Sequence, residues 1–159
     1  MKLSSQEEYG LRCLLQLGRH GEGASLTISE LSRLEGISAP NVAKIMRLLR
    51  RNGFVSSTRG QAGGYVLARS VESISVGEVV NALGSRFFDD DFCERHAGAE
   101  PACAHLGDCS IRPVLRELQS VVDQVLGRLT LKQLLCSEKE MTRLGSERAV
   151  TLPMASRSA

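Results

Sequence analysis

Apolar residues recur at helical spacing through the first third of the chain. Residues 5–20 carry their apolar side chains mainly on one side, which predicts an amphipathic helix. A shorter helix is predicted from the capping pattern Thr27-Ile-Ser-Glu30, in which each polar side chain satisfies a free backbone N–H. Gly36 ends that helix, because glycine takes the positive φ of a tight turn without steric cost.

A third helix is predicted from Ser38, a favourable N-cap, to about residue 52. Pro40 is tolerated in its first turn, where backbone N–H groups have no partner inside the helix. The apolar positions recur at i, i+3, i+4 and i+7, which indicates one buried stripe: Val42, Ile45, Met46 and Leu49. Two helices joined by a tight glycine turn are typical of a helix-turn-helix.

Polar and basic side chains occupy the opposite face of this third helix: Asn41, Lys44, Arg47, Arg50 and Arg51. Such a face is typical either of a solvated helix or of one that contacts a polyanion. Two short strands are then predicted at residues 54–57 and 65–67, around the glycine-rich segment 58–64. A hairpin of this kind is a wing, and Arg59 at its tip is suited to the narrow minor groove of DNA. The combination indicates a DNA-binding domain.

The second half of the chain reads as a helix, a loop and a long helix. Ser75-Val-Gly-Glu78 is another capping box, and it opens a helix that ends at Gly84. After an irregular polar stretch, Pro113 suits the first turn of a helix that runs to about residue 129. Its apolar residues step by three and four, the seam of a short coiled coil, which predicts a homodimer. The alternative is a helix that packs on its own domain. The predicted seam is Leu115, Leu118, Val122, Val125 and Leu129.

These elements predict a mainly α-helical fold with a small β-wing, in which a winged helix-turn-helix domain is followed by a long dimerisation helix. We expect the DNA-binding domain to span residues 1–84 and a cysteine-bearing loop to span residues 85–110. The dimerisation helix and a short helix after Thr130 would occupy residues 111–136. Residues 137–159 are polar and have no periodicity, which predicts a disordered tail.

Composition and charge narrow the class of protein. The chain has 159 residues, no Trp and 4% aromatic residues, so its core must be mostly aliphatic. Residues 1–69 carry ten Lys or Arg and five Asp or Glu, a net +5, whereas the remainder carries ten and thirteen, a net −3. A basic first half fits a polyanionic partner. No apolar run is long enough for a membrane span or a signal peptide, so we expect a cytoplasmic protein with no membrane partner.

Three of the five cysteines share the irregular loop: Cys93, Cys103 and Cys109, spaced C-x9-C-x5-C. The closely spaced cysteine pairs of structural zinc sites are absent from the sequence. Soft thiolates suit an iron–sulfur cluster, which needs four protein ligands, so the loop would supply three of them. Three unrelated thiols are the alternative. Cys13 falls on the first helix as a small core residue, and Cys136 stays unassigned.

Several segments, in order, resemble the Rrf-two family of bacterial transcription regulators. They are MKLSSQEEYGLRCLLQL, ISAPNVAKIMRLLRRNGFVSSTRGQAGGYVLAR, ISVGEVVNALG, the three-cysteine loop and LTLKQLL, which together cover about residues 1–136. The resemblance implies a winged-helix dimer on a pseudo-palindromic operator of double-stranded DNA. It also implies an iron–sulfur cluster, with [2Fe-2S] favoured over [4Fe-4S], whose state alters DNA binding. We therefore expect a repressor controlled by redox state, nitric oxide or iron–sulfur status.

The resemblance also assigns site residues. Ser38, Pro40, Asn41, Lys44 and Arg47 would approach the major groove, and the wing would meet the backbone and minor groove through two residues, Arg59 and Gly60. Some relatives recruit a carboxylate from the first helix of the other protomer as the fourth cluster ligand, and Glu8 of this chain matches that position. Other candidates for that ligand lie within the loop: Glu94, His96, His105 and Asp108.

The chain departs from the family at two points. The spacing between its first and second loop cysteines is longer than usual, and Arg112 stands where some relatives place a ligating His. A guanidinium stays protonated and cannot ligate a metal. A regulator of the same fold that has no cluster and senses through reversible thiol oxidation is therefore the alternative. We expect no enzyme activity, because the chain has neither a C-x-x-C motif nor a nucleotide-binding fingerprint.

Overall fold

The computed structural model describes residues 4–58, 63–84 and 86–147. Most of them lie in helices, and two short strands form a small sheet. In chain order the elements are α1 (Ser5–Arg19), α2 (Ile28–Glu35), α3 (Ala39–Arg51), β1 (Val55–Ser57), β2 (Tyr65–Leu67), α4 (Val76–Leu83), α5 (Phe92–Arg95), α6 (Ile111–Gly127), α7 (Leu131–Leu134) and α8 (Glu138–Glu147).

The helix starts follow from capping boxes. Thr27 accepts from the backbone N–H of Glu30, whose carboxylate accepts from the Thr27 N–H at 2.8 Å, and Ser75 and Glu78 repeat the arrangement. Hydrogen bonding from the backbone N–H of Ser75 lowers the pKa of the Glu78 carboxyl. Both boxes are confirmed, and Ser4 with Glu7 forms a third at the start of α1. Ser38 is the N-cap of α3, although its side chain makes no capping hydrogen bond.

The core is aliphatic, and α1 lies at its heart. The predicted stripe of α3 is confirmed, because Val42, Ile45, Met46 and Leu49 are at most 3% exposed. They pack with the buried face of α1, which contributes the fully buried residues Cys13, Leu14 and Leu17. Helix α1 also contacts α2, α4, α7 and β2. One core therefore fixes the helix-turn-helix relative to the elements that follow it.

The turn and the wing have the predicted form. Gly36 takes φ +65° between α2 and α3. Strands β1 and β2 are antiparallel, with Val55 opposite Leu67 and Ser57 opposite Tyr65, and Tyr65 also bridges to Leu26. The wing tip at residues 59–62, with Arg59 and Gly60, lies outside the described residues.

The long helix differs from the predicted one at its end. Helix α6 stops at Gly127, so Leu129 does not belong to the helical seam; its carbonyl instead accepts the backbone N–H of Val76 at 2.8 Å. Gly77 and Gly127 bring α4 and α6 together, since a Cβ at Gly77 would lie 3.1 Å from the Gly127 nitrogen. The long helix therefore ends where it packs against α4.

The prediction of disorder after residue 136 is wrong for residues 138–147, which form α8. Its start is another capping box, in which the Glu140 carboxylate accepts from the Ser137 N–H at 2.9 Å. That hydrogen bond lowers the pKa of Glu140. The local capping signal outweighs the polar composition on which the prediction rested. Residues 148–159 lie outside the described residues, and so does Ser85.

Within the described ranges, no helix is long and apolar enough to cross a membrane.

Replacing Gly36 by Ala tests the turn between α2 and α3. A side chain at φ +65° is strained, so Gly36→Ala should lower the free energy of unfolding by about 1–2 kcal/mol. The melting temperature should fall by about 2–8 °C, measured by circular dichroism. Gly107→Ala is the matched control, because a Cβ there meets open space and the φ of Gly107 is not positive. Equal melting temperatures for the two variants would contradict the strain.

Candidate nucleic-acid interface and cysteine loop

The predicted recognition face lies on the side of α3 opposite the core. Ser38, Pro40, Asn41, Lys44 and Arg47 are all exposed, and so are Arg50 and Arg51 at the end of the helix. A groove of about 310 Å³ separates this face from the first turns of α1 and is lined by Asn41, Lys44 and Tyr9 among others. The structure thus collects the polar and basic residues of α3 on one accessible surface, which suits contact with DNA.

The wing is anchored to the domain at its base. The hydroxyl of Thr58 accepts the backbone N–H of Gly64 at 2.9 Å and lies 3.1 Å from the hydroxyl of Ser25. A Cβ at Gly64 would lie 2.7 Å from the carbonyl oxygen of Leu26, so only glycine fits there. The close backbone contact orients the hairpin on the same domain as α3.

An ion-pair cluster that the sequence did not reveal joins α1 to the end of α2. The Arg12 Nε donates to Glu35 Oε2 at 2.6 Å, and the other side of the guanidinium donates to the Glu35 carbonyl. Gln16 donates to the second carboxylate oxygen. The Glu35 side chain is only 9% exposed, whereas that of Arg12 is 37% exposed, so the carboxylate is shielded from solvent more than the guanidinium is. Hydrogen bonding to Glu35 raises the pKa of Arg12.

Each loop cysteine is half-buried: Cys93 lies in α5, whereas Cys103 and Cys109 lie on irregular backbone. In the part of the chain that the structure describes, no group of three or more His, Cys, Asp or Glu side chains is placed to hold a metal ion. The single chain therefore does not bring the three predicted ligands together. By donor chemistry alone, the three thiols still suit an iron–sulfur cluster.

The loop is attached to the rest of the chain at its root. The backbone N–H of Phe88 donates to Gln119 Oε1 on α6 at 3.0 Å, and Arg86 pairs with Asp123. Gln119 is 6% exposed and donates in turn to Asp123 at 2.8 Å. This buried amide fixes where the loop leaves the fold.

The candidate fourth ligands lie in different surroundings. Glu8 is exposed in the first turn of α1, 3.5 Å from Arg12, a position that also favours the helix dipole. His96 is exposed, with its Nδ1 2.8 Å from the carbonyl of Phe92 and its ring stacked on that residue. His105, Asp108 and Glu94 are exposed in the loop. All five candidates are therefore exposed in the single chain.

The remaining two thiols differ from the loop thiols and from each other. Cys13 is fully buried, and burial raises the pKa of its thiol to about 12. The prediction of a core residue is confirmed. Cys136 is half-buried, with its Sγ 4.0 Å from Met141 Sδ on α8.

A family model described as Rrf2, an iron-dependent transcriptional regulator, matches residues 3–137. The chain belongs to the Rrf2 (Rrf-two) family. Protein rrf2 of Nitratidesulfovibrio vulgaris is 33% identical over 135 residues, which cover 85% of this chain and 87% of that protein. The HTH-type transcriptional regulator IscR of Salmonella paratyphi B is 29% identical over 156 residues, which cover 98% of this chain and 92% of that protein.

Two solved structures share the fold. CymR (YrzC), described as the global cysteine regulator of B. subtilis, superposes with a TM-score of 0.67 at 23% identity, covering 85% of this chain and 96% of that chain. IscR of T. potens gives 0.64 at 24% identity, covering 96% of this chain and 93% of that chain. The Rrf2 assignment, the winged-helix fold and a regulatory rather than enzymatic role are thereby confirmed.

Thiol reactivity should distinguish the cysteines of the loop from Cys13 in the core. In metal-free protein at about pH 8, N-ethylmaleimide should label Cys93, Cys103, Cys109 and Cys136 but not Cys13, because the thiolate is the reacting form and Cys13 stays protonated and buried. Peptide mass spectrometry measures the labelling, and guanidinium should release Cys13 as the control. Labelling of Cys13 at the rate of the loop thiols would contradict its placement.

Proposed function

We propose that this Rrf2 protein is a homodimeric repressor that binds a pseudo-palindromic operator. The observation that carries the proposal is the exposed polar and basic face of α3, held on a buried stripe within a helix-turn-helix. Ser38, Pro40, Asn41, Lys44 and Arg47 would approach base edges and phosphates in the major groove. Arg59 and Gly60 of the wing would meet the adjacent backbone and minor groove. Such a protein would act in the cytoplasm, where the DNA is.

Pairing of two chains through α6 is supported by its exposed apolar side chains. Ile111 is 63% exposed, Val114 58%, Leu118 49% and Val125 38%. Two of these, Leu118 and Val125, belong to the predicted seam, and the seam residues Leu115 and Val122 are half-buried in the single chain. Burying this surface against a second copy would remove apolar area from water. A two-fold axis along α6 would set two α3 helices on successive turns of DNA.

In the proposed regulator the three loop thiolates hold an iron–sulfur cluster. Cys93, Cys103 and Cys109 supply soft sulfur ligands, and Glu8 of the partner subunit supplies the fourth ligand. When bound, the group supplies redox-sensitive and nitric-oxide-sensitive chemistry at the root of the dimer helix, and we favour [2Fe-2S] over [4Fe-4S]. To hold the cluster, the three cysteines would have to come together from positions that are separate in the single chain.

A cluster-free regulator that senses thiol oxidation is the second candidate. It is favoured by the half-buried loop thiols and by the separation of the ligating groups in the described part of the chain. The likeness in fold to a Staphylococcus aureus CymR that is described in an oxidized form also supports it.

Lys44→Ala tests the DNA-facing surface. If Lys44 neutralises a phosphate, the variant should bind the operator more weakly, and the slope of log affinity against log salt should shrink by about 0.9. The measurement is fluorescence anisotropy on a duplex selected from a random pool, at several KCl concentrations. Lys139→Ala on α8 removes the same charge away from α3 and should match the parent protein. Equal salt slopes for the two variants would show that the recognition surface is misplaced.

Absorption spectra of anaerobically purified protein test the cluster. The protein should be coloured and contain iron and acid-labile sulfide, because three thiolates and a carboxylate suffice as ligands. Cys93→Ser should bleach it, Glu8→Ala should alter its spectrum, and Cys13→Ala should leave the colour intact. A colourless, iron-free protein whose operator binding changes with peroxide and recovers with thiol would establish the second candidate instead.

A further inference from the structure

Helix α1 contacts the root of the cysteine loop with its first turns. Gln6 donates to the carbonyl of Leu83, the last residue of α4. The buried carboxylate of Glu7 lies against Gly84 so closely that a Cβ there would displace it from its capping position. Gly10 in turn leaves room for the Leu83 side chain. These contacts join the first turns of α1 to Leu83 and Gly84, immediately before the cysteine loop begins.

About two turns further along, the same helix contacts the end of α2, just before the recognition helix α3. The Arg12 guanidinium donates to both the carboxylate and the carbonyl of Glu35, and Gln16 donates to the remaining carboxylate oxygen. Glu35 is the last residue of α2, directly before the turn at Gly36 that leads into α3. A planar guanidinium that makes two hydrogen bonds fixes direction as well as distance. Arg12 thus contacts the turn that sets the entry angle of α3.

The helix that makes both contacts is anchored in the core. Cys13, Leu14 and Leu17 are fully buried, and residues 5–19 form one uninterrupted helix. Packed interiors transmit displacement instead of absorbing it, because they contain little free volume. A shift at Gly84 therefore moves the whole helix, including Arg12.

We propose that Arg12 is a positioning residue for α3, through which α1 couples the root of the cysteine loop to the recognition helix. This inference rests on the proposed function for its biological meaning, because the loop is taken as the sensing element and α3 as the reader of DNA. Whatever the function, a change at the α4 end of α1 would reach the α2–α3 turn chiefly through the contact of Arg12 with Glu35.

A double-mutant cycle in the full-length protein tests the coupling. Gly84→Ala perturbs the loop root, and Arg12→Gln removes the guanidinium contact. Each change alone should weaken binding to the selected operator about fivefold or more, and the double variant should be no weaker than Arg12→Gln. The salt slope should stay that of the parent protein, because Arg12 acts through Glu35 and not on a phosphate. Multiplicative effects, or a reduced slope, would overturn the proposal.

Two further variants keep the test decisive. If Gly84→Ala fails to fold, Gly10→Ala replaces it, since the Cβ there clashes with the end of the flexible Leu83 side chain and is otherwise at ordinary contact distance, 3.9 Å from Ile45. Arg19→Gln is the matched control, an exposed arginine of the same helix near its end. When Arg19→Gln is combined with the loop-root variant, the fold-change in operator binding should equal the product of the two single fold-changes.

Hydrogen exchange separates this inference from the proposed function. In DNA-free protein, the loop-root variant should speed amide exchange at Val42, whose N–H donates to the Ser38 carbonyl at the start of α3, on the parent background but not on the Arg12→Gln background. If the protein binds no duplex yet shows this pattern, the proposed function fails and the coupling stands. If operator binding is strong and exchange at Val42 does not change in the loop-root variant, the coupling fails and the proposed function stands.

Discussion

Helix α1 places Cys13, Leu14 and Leu17 in full contact with the interior, and it touches α2, α3, α4, α7 and β2. Burial of each leucine contributes about 1.5–3 kcal/mol. The apolar stripe of α3 packs on α1 as well as on α2, α4 and β1, so α1 is one of the surfaces that fix the recognition helix. The exposed polar face of α3 is the consequence of that burial, since a helix that buries one side must present the other.

The cysteine loop is held mainly by contacts within the loop itself. Around the cysteines, the ion pair of Arg95 with Asp89 and the hydrogen bond from Leu106 to the Cys103 carbonyl stay inside the loop. The root, by contrast, is held by the buried Gln119 and by the α4–α6 approach at Gly77. A loop that can rearrange between fixed ends is suited to a sensor, because rearrangement leaves the core unchanged.

Burial also decides the chemistry of the cysteines. Cys13 and Cys93 are the same residue type, yet Cys13 is enclosed among aliphatic side chains, where a thiolate would lose its solvation. Cys93 lies half-buried on a one-turn helix beside exposed polar residues. Reactivity and ligation therefore fall to the loop thiols by environment, whichever of the two proposed sensing modes operates.

The sequence by itself determined what is encoded locally: the helix starts at Thr27 and Ser75, the αL turn at Gly36, and the buried stripe of α3. Capping and periodicity involve residues a few positions apart, so no tertiary information is needed to see them. The same local signal at Ser137 starts α8, although the polar composition after residue 136 predicts disorder. Only the tertiary structure decided that α6 ends before Leu129, where α4 crosses it, and that Arg12 meets Glu35. Those contacts join residues distant in sequence, and no spacing rule pairs them.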